Sequence, residues 1–172
     1  MSKRQIFIIA MIFLISILIL VDCFYNFPHI TIPQLVFWIF IACLCESLPV
    51  YFSKDRVVTV TLAVLLALQL SHGTYLTTII AAISTILYII RNNDGTYRHT
   101  FNLPYYKTMA NFSNFTISTF LPGLLYDFLL DKLNITDKSP FIAFAIFFYF
   151  TATFFINTGM ISLFMKIFTG SS

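Results

Sequence analysis

The sequence predicts an all-α fold: an integral membrane bundle of six transmembrane helices, with both termini in the cytoplasm. Composition is the first observation behind this prediction. Of the 172 residues 59% are apolar and only 10% are charged, and the mean hydropathy is +0.88, which is well above the range of soluble domains. The second observation is that the apolar residues form separate runs, most of them long enough to cross a hydrocarbon core about 30 Å thick as helices.

One transmembrane domain is expected to cover residues 1–172. Turn-forming residues divide the apolar runs, because Pro33 opens the second run, Pro49 closes it, and Ser71 to Gly73 separate the third from the fourth. The first run is interpreted as a retained helix rather than a signal peptide, since no A-x-A-like cleavage site follows it. The predicted helices cover about 6–25, 34–50, 57–70, 74–90, 108–130 and 141–168.

The basic residues predict the orientation. With the N-terminus inside, eight of the ten Lys and Arg residues fall in cytoplasmic segments and two in outer loops, as the positive-inside rule favours. The inner residues are Lys3, Arg4, Lys54, Arg56, Arg91, Arg98, Lys107 and Lys166, and the outer ones are Lys132 and Lys138. The chain is therefore expected in the cell (inner or plasma) membrane, multi-pass, with the lipid bilayer as a partner. A scattered formal charge of +3 argues against a nucleic-acid partner.

Polar and charged residues are concentrated in one short stretch, CESLPVYFSKDRVVTV at 45–60. In the predicted topology Glu46 lies near the cytoplasmic end of the second helix, and the SKDR segment is an inner loop. Glu46 is expected to be structural and partly exposed, in an ion pair with Lys54 and Arg56 that would contribute about 0 to 1 kcal/mol. The V-V-T-V-T pattern fits an extended segment as well as a membrane helix.

Two segments resemble the N-terminal multi-helix membrane region of bacterial HD-GYP phosphohydrolases and related signalling proteins. The first combines an E-x-x-P-V pattern, a polar turn, a Val/Thr-rich start and an apolar run that ends near Gly: ESLPVYFSKDRVVTVTLAVLLALQLSHG. The second has an Asn near the middle of a helix and a closing Gly-Ser turn: NTGMISLFMKIFTGSS. Their order and spacing are similar to that region over most of the chain.

The resemblance implies a sensory or anchoring module that relays a signal to a cytoplasmic effector domain or partner protein, and a homodimer is compatible with it. The sequence has neither an H-D pair followed by G-Y-P nor a G-G-D-E-F run, so the chain is expected to be a fragment, a truncated form or a stand-alone relative. Whether a full-length protein carries a cyclic-di-GMP phosphodiesterase domain stays open. This chain itself is predicted not to be an enzyme and to need no cofactor, since it lacks G-x-S-x-G, H-E-x-x-H and glycine-rich phosphate-loop motifs.

A transport function is the alternative hypothesis. The substrate-binding subunits of energy-coupling-factor vitamin transporters are also six-helix membrane proteins of about this length. Such a small-molecule-binding subunit needs a face of small residues with which to dock on its partner. Ala63 and Ala67 on the third helix have the A-x-x-x-A spacing, although many apolar helices show one such match by chance.

Polar side chains at membrane depth are candidates for function, because burying them in lipid is costly. On the fifth helix they recur at steps of three and four residues and therefore share one face. Together with an Asn on the sixth helix, they are expected to join helices through hydrogen bonds, and a functional role for the same face is the alternative. This helix-packing set is Asn111, Asn114, Ser118 and Asn157.

A ligand-binding set is predicted at the outer membrane face: Asp22, His72 and Asp127. Carboxylates and imidazole suit a divalent metal or a small polar ligand. No pair among them has a metal-ligand spacing such as H-x-x-x-H, so no metal site is predicted. The alternative is that each group is solvated separately in its own loop.

Overall fold

Five α-helices and two short β-hairpins form the described part of the chain. The computed structural model describes residues 2–48, 50–53, 56–58, 60–91, 95–134 and 139–169. The helices are α1 (Lys3–Tyr25), α2 (Ile32–Ser47), α3 (Thr61–Leu87), α4 (Tyr105–Lys132) and α5 (Ile142–Thr169). The strands are β1 (Val50–Ser53), β2 (Arg56–Val58), β3 (Ile89–Arg91) and β4 (Tyr97–His99), and a 3₁₀ turn covers Thr100–Asn102. The predicted all-α class is confirmed.

The outer surface of the bundle is apolar. By length and composition α1, α3 and α5 are suited to cross a membrane, and α2 is a shorter apolar helix. In the most apolar 18-residue stretch of α1 and of α5, only 17% of the residues are buried inside the protein. In α3 the corresponding share is 50%. Large side chains such as Phe7, Phe40 and Phe155 are exposed. These faces indicate association with a membrane, whereas six crossings remain a prediction.

Helix α3 changes direction at Gly73. This residue has φ 78° and ψ −178°, a conformation that glycine adopts readily and residues with a side chain rarely do. Residues 61–72 and 74–87 are therefore two helical segments within one element, and we call them the first and second halves of α3. The predicted helices 57–70 and 74–90 correspond to these halves, with a single glycine as their connection.

Contacts with α2 show that α3 folds back on itself. Thr61, the first residue of α3, donates a hydrogen bond to Glu46, and the backbone N–H of Ile89, just beyond the end of α3, donates to Ser47. The two ends of a straight helix of 27 residues would lie about 40 Å apart. Because both ends of α3 meet neighbouring residues of α2, the two halves of α3 run antiparallel.

The two β-hairpins correct the predicted boundaries on either side of α3. The positions 57–58 and 89–90 were expected to be helical, and this prediction is wrong. Val57 and Val58 pair with β1, and Ile89 and Ile90 pair with β4, both in antiparallel register. The backbone pairing within each hairpin replaces helical hydrogen bonds at these positions.

The other four helices begin and end within three residues of their predicted positions. Local capping explains the small extensions. Ser2 and Gln5 form a capping box that starts α1 at Lys3, and Pro104 precedes the first turn of α4.

The helical segments alternate in direction along the chain. Gln5 in α1 donates to the backbone carbonyl of Ile167 in α5, so the start of α1 lies beside the end of α5. Ile9, Ala110 and Phe164 pack together at the same level, which places the start of α4 there too. We call this end of the bundle, with Gln5 and Ile167, the proximal end, and the opposite end, with Gly73, the distal end.

Candidate functional site

A polar cavity lies in the proximal part of the bundle. Its volume is about 250 Å³, and α2, α3, α4, α5 and the β3–β4 hairpin all contribute to its wall. The polar side chains of the wall include a carboxylate, a guanidinium, a phenol and three amides. They belong to Glu46, Arg98, Tyr88, Asn111, Asn114 and Asn157. A buried carboxylate and three amides in the wall, with a guanidinium at the open side, make this cavity the candidate functional site.

Glu46 supplies the carboxylate of the cavity. Its side chain is only 8% exposed, and its Oε2 atom accepts a hydrogen bond of 2.6 Å from Thr61. The expectation of a partly exposed Glu46 is therefore wrong, because the end of α2 packs against the start of α3 and covers it. Its expected partners, Lys54 and the side chain of Arg56, lie outside the described residues.

An amide pair joins α4 to α5 at the cavity. Asn114 Nδ2 donates to Asn157 Oδ1 at 2.5 Å. Asn111 lies one helical turn before Asn114 and lines the same cavity, and Ser118 is buried one turn after it. Within the described part of the chain, no donor reaches the buried Oδ1 atom of Asn114. An unpaired buried acceptor costs about 1 to 3 kcal/mol.

Arg98 supplies the positive group of the cavity. It pairs with Ile90 in the β3–β4 hairpin, and this hairpin places it in the cavity wall. Arg98 is exposed, so it marks the open side of the cavity. No carboxylate among the described residues forms an ion pair with its guanidinium. The cavity thus has a cation at its mouth and acceptor oxygens in its wall.

Asp127 forms a second polar cluster, at the distal end. Its Oδ1 atom accepts from Gln69 Nε2 at 3.1 Å, and its Oδ2 atom accepts from Thr74 Oγ1 at 2.6 Å. Gln69 Nε2 also donates to Thr74 Oγ1 at 3.0 Å. Because Gln69 and Thr74 flank the bend at Gly73, Asp127 fastens both halves of α3 to α4.

Gly123 allows α3 to approach α4 at this distal cluster. It lies one turn before Asp127, and a Cβ atom placed on it would be 2.6 Å from both Cγ2 and Oγ1 of Thr74 and 3.0 Å from Oε1 of Gln69. Such distances are too short for any side chain. The hydrogen bonds of Asp127 therefore depend on a glycine at position 123.

The three residues of the predicted ligand-binding set have different hydrogen-bond partners. Asp22 is exposed and accepts from an asparagine four residues later. His72 accepts from Trp38 of α2 at 3.2 Å, and Asp127 is bound to α3. In the described part of the chain, no hydrogen bond joins any two of the three, and no group of three His, Cys, Asp or Glu residues could hold a metal ion.

Three residues of the cavity and the distal cluster were not predicted as functional from the sequence. Gln69 is the single amide in the apolar run 57–70, and a lone amide at membrane depth is a signal for a buried hydrogen bond. Gly123 follows Pro122 inside a helix, where a small residue indicates close helix packing. Arg98 contributed only to the prediction of topology, because no local pattern indicates that a hairpin would place it in the wall of the same cavity as Glu46.

No protein-family model, no curated protein and no solved structure matches this chain.

Proposed function

We propose that this chain is a multi-pass membrane module that binds a small polar molecule inside its helical bundle and serves as the sensory part of a signalling protein. The observation that carries the proposal is the cavity lined by Glu46, Arg98 and three asparagines within an apolar exterior. Polar groups at membrane depth are retained mainly where function needs them. The cavity volume of 250 Å³ is below the roughly 300 to 1,000 Å³ of sites for drug-sized ligands, so the ligand is small.

The proposed topology has six crossings. The fold-back at Gly73 and the alternating directions of the segments support it, as does the excess of basic residues in the segments assigned to the cytoplasm. Each half of α3 is only about 20 Å long, which is shorter than the hydrocarbon core of a bilayer. These two crossings would require local thinning of the bilayer, with the hairpins at the membrane interface. This topology directs the proximal end, with the cavity and both termini, towards the cytoplasm.

The position of the cavity suits signal relay. Its wall includes α5 and the β3–β4 hairpin, and the end of α5 contacts the start of α1 through Gln5 and Ile167. A ligand that binds between Arg98 and Asn157 would stabilise one arrangement of the hairpin relative to α5. An effector joined to either terminus would then respond to that arrangement. The resemblance to the membrane region of HD-GYP signalling proteins favours the same role.

Ligand-dependent thermal unfolding of the full chain in detergent tests the binding function. Amino acids, amines, carboxylates, sugars and nucleobases would be screened, and we expect at least one class to raise the unfolding temperature, because a ligand that binds only the folded state stabilises it. Asn114→Leu and, independently, Asn111→Leu should remove the increase by occupying the cavity with an apolar group. Asn26→Leu, at the exposed end of α1, is the matched control and should retain it.

Two outcomes would contradict the binding function. One is that no compound class stabilises the wild-type protein. The other is that stabilisation persists in both cavity variants, which would place the binding site elsewhere.

A transport subunit of the energy-coupling-factor type is the second candidate. Ala63 and Ala67 are both exposed on the first half of α3, which leaves this pair of small side chains accessible for helix docking. The same cavity would then hold a transported molecule. The two candidates differ in that surface, since a transport subunit needs Ala63 and Ala67 to contact its partner and a sensor does not.

A further inference from the structure

We propose that the bend in α3 carries an acid-sensitive contact. The hydrogen bond from Trp38 to His72 forms only while His72 is neutral, and proton binding to His72 releases α2 from the bend. Proton sensing at the distal end is a second activity of the module, separate from ligand binding in the proximal cavity. In the proposed topology this end faces the outside, so the proton comes from there.

The contact requires an unprotonated nitrogen on His72. Trp38 Nε1 lies 3.2 Å from His72 Nε2, and an indole nitrogen can only donate a hydrogen bond. His72 Nε2 therefore accepts, which leaves Nδ1 to carry the single N–H of the neutral ring. Both nitrogens of an imidazolium carry a hydrogen, so in the protonated form two N–H groups would face each other.

The arrangement of the two rings gives no compensation for a positive charge. The rings of Trp38 and His72 are nearly perpendicular, at 81°, with centroids 6.1 Å apart. A cation is attracted by the negative face of an aromatic ring, whereas the edge of the ring is positive. Because the hydrogen bond directs the N–H edge of the indole at the imidazole, a charge on His72 would meet that positive edge.

The contacts of His72 are few, and its side chain is within reach of solvent. In the described part of the chain Trp38 is its one hydrogen-bond partner, and the imidazole is half-buried. Helix α2 has no titratable side chain before Cys43. The other titratable groups at the distal end belong to α1 and the segment after it, to α3 and to α4, and none of them bonds to His72: Asp22, Cys23, Tyr25, His29, Tyr75, Tyr126, Asp127, Asp131 and Lys132.

The bond from Trp38 is the distal attachment of α2. At the proximal end of α2, Glu46 accepts from Thr61 and Ser47 accepts from the backbone of Ile89. Among the residues that the structure describes, Trp38 provides the one hydrogen bond between α2 and the bend. Without it the distal part of α2 keeps only its apolar packing on α3, while the proximal end stays attached.

The fluorescence of Trp38 tests the proposal in the full detergent-solubilised chain, because it is the single tryptophan of the sequence. Between about pH 8 and 5, where histidine changes its charge, its emission should show one transition that fits the binding of one proton. The physical reason is that the indole loses its hydrogen-bond partner and gains a positive neighbour. His72→Gln should abolish the transition, since an amide oxygen can accept in both conditions.

A double variant keeps the test independent of how well His72→Gln folds. The sequence has three histidines, and His29→Gln combined with His99→Gln leaves His72 as the single imidazole. This variant should retain the transition of the wild-type protein.

Collisional quenching by acrylamide, which is uncharged, tests whether α2 leaves the bend. In the wild-type protein Trp38 should be quenched more strongly at the acid end of the titration than at the basic end, because its indole becomes more accessible. In His72→Gln the quenching should be the same at both ends.

Four results would overturn the inference. The wild-type protein could show no transition in this pH range, His72→Gln could retain the transition, or the double variant could lose it; in the last two cases another group binds the proton. A transition with unchanged acrylamide quenching would show that α2 stays on the bend. The proximal cavity is tested separately, by the compound screen at one fixed pH.

Discussion

Replacement of Gly123 by alanine should destabilise the protein by about 1 to 3 kcal/mol, the usual cost of overpacking a close contact. The added Cβ would lie 2.6 Å from two side-chain atoms of Thr74, so α3 and α4 would have to separate. Separation would lengthen the hydrogen bonds of Asp127 to Thr74 and Gln69. Thermal unfolding of the detergent-solubilised chain should therefore show a midpoint several degrees below that of the wild-type protein.

Gly159→Ala is the matched control for this prediction. Gly159 lies inside α5, and a Cβ placed on it meets nothing within 4 Å. Because alanine favours helix formation over glycine by about 1 kcal/mol, this variant should be as stable as the wild-type protein or more so. Equal unfolding midpoints for Gly123→Ala and Gly159→Ala would show that α3 and α4 do not approach closely at the distal cluster.

Replacement of Asp127 by alanine should cost about 2 to 4 kcal/mol, because it removes the acceptor of two buried donors at once. Thr74 and Gln69 are 1% and 2% exposed, so water cannot readily replace the lost carboxylate. The two halves of α3 would also lose their shared attachment to α4. Asp127→Asn keeps one acceptor oxygen and should lie between the alanine variant and the wild-type protein in unfolding temperature.

Asp131→Ala is the control, since Asp131 lies one turn later on the same helix and is exposed. Its removal should change the unfolding temperature little, as is usual for exposed charges. If Asp131→Ala were as destabilising as Asp127→Ala, the effect would come from charge on α4 in general. The distal cluster would then have no special role in stability.

The fold was predictable where local signals decide it. The lengths of the apolar runs and the residues at their ends place α1, α2, α4 and α5 within three residues, because helix formation and capping depend on neighbours along the chain. The strands β1 to β4 were not predictable in the same way. Val57 and Ile90 suit a membrane helix as well as a strand, and only their pairing with β1 and β4 decides between the two.

The candidate site was predictable only in part. The spacing of Asn111 and Asn114 indicates a shared polar face, and the structure brings Asn114 together with Asn157. The partner of a side chain across two helices depends on packing that no local pattern shows. For this reason the burial of Glu46 against α3, and the position of Arg98 at the cavity, did not follow from the residues around them.

Buried hydroxyl groups illustrate why composition alone does not locate a site. Four of them in the second half of α3 donate to backbone carbonyls three or four residues earlier in their own helix: Thr77, Thr78, Ser84 and Thr85. Such bonds satisfy a hydroxyl in apolar surroundings without any tertiary partner. Thr74 differs only because Asp127 lies opposite it, which is a property of the packing of α3 on α4.

The accessibility of single cysteines in membranes would show whether the chain crosses the bilayer six times with the cavity end in the cytoplasm. In a background with Cys23, Cys43 and Cys45 replaced by alanine, one cysteine would be placed at Ser71, beside the bend in α3, or at Phe101, after β4; both residues are exposed. With six crossings, a membrane-impermeant maleimide should label Ser71→Cys in intact cells and Phe101→Cys only after the membrane is permeabilised. Labelling of both positions from the same side, or no labelling of Ser71→Cys in either condition, would rule out six crossings, because the second half of α3 would then not cross the membrane.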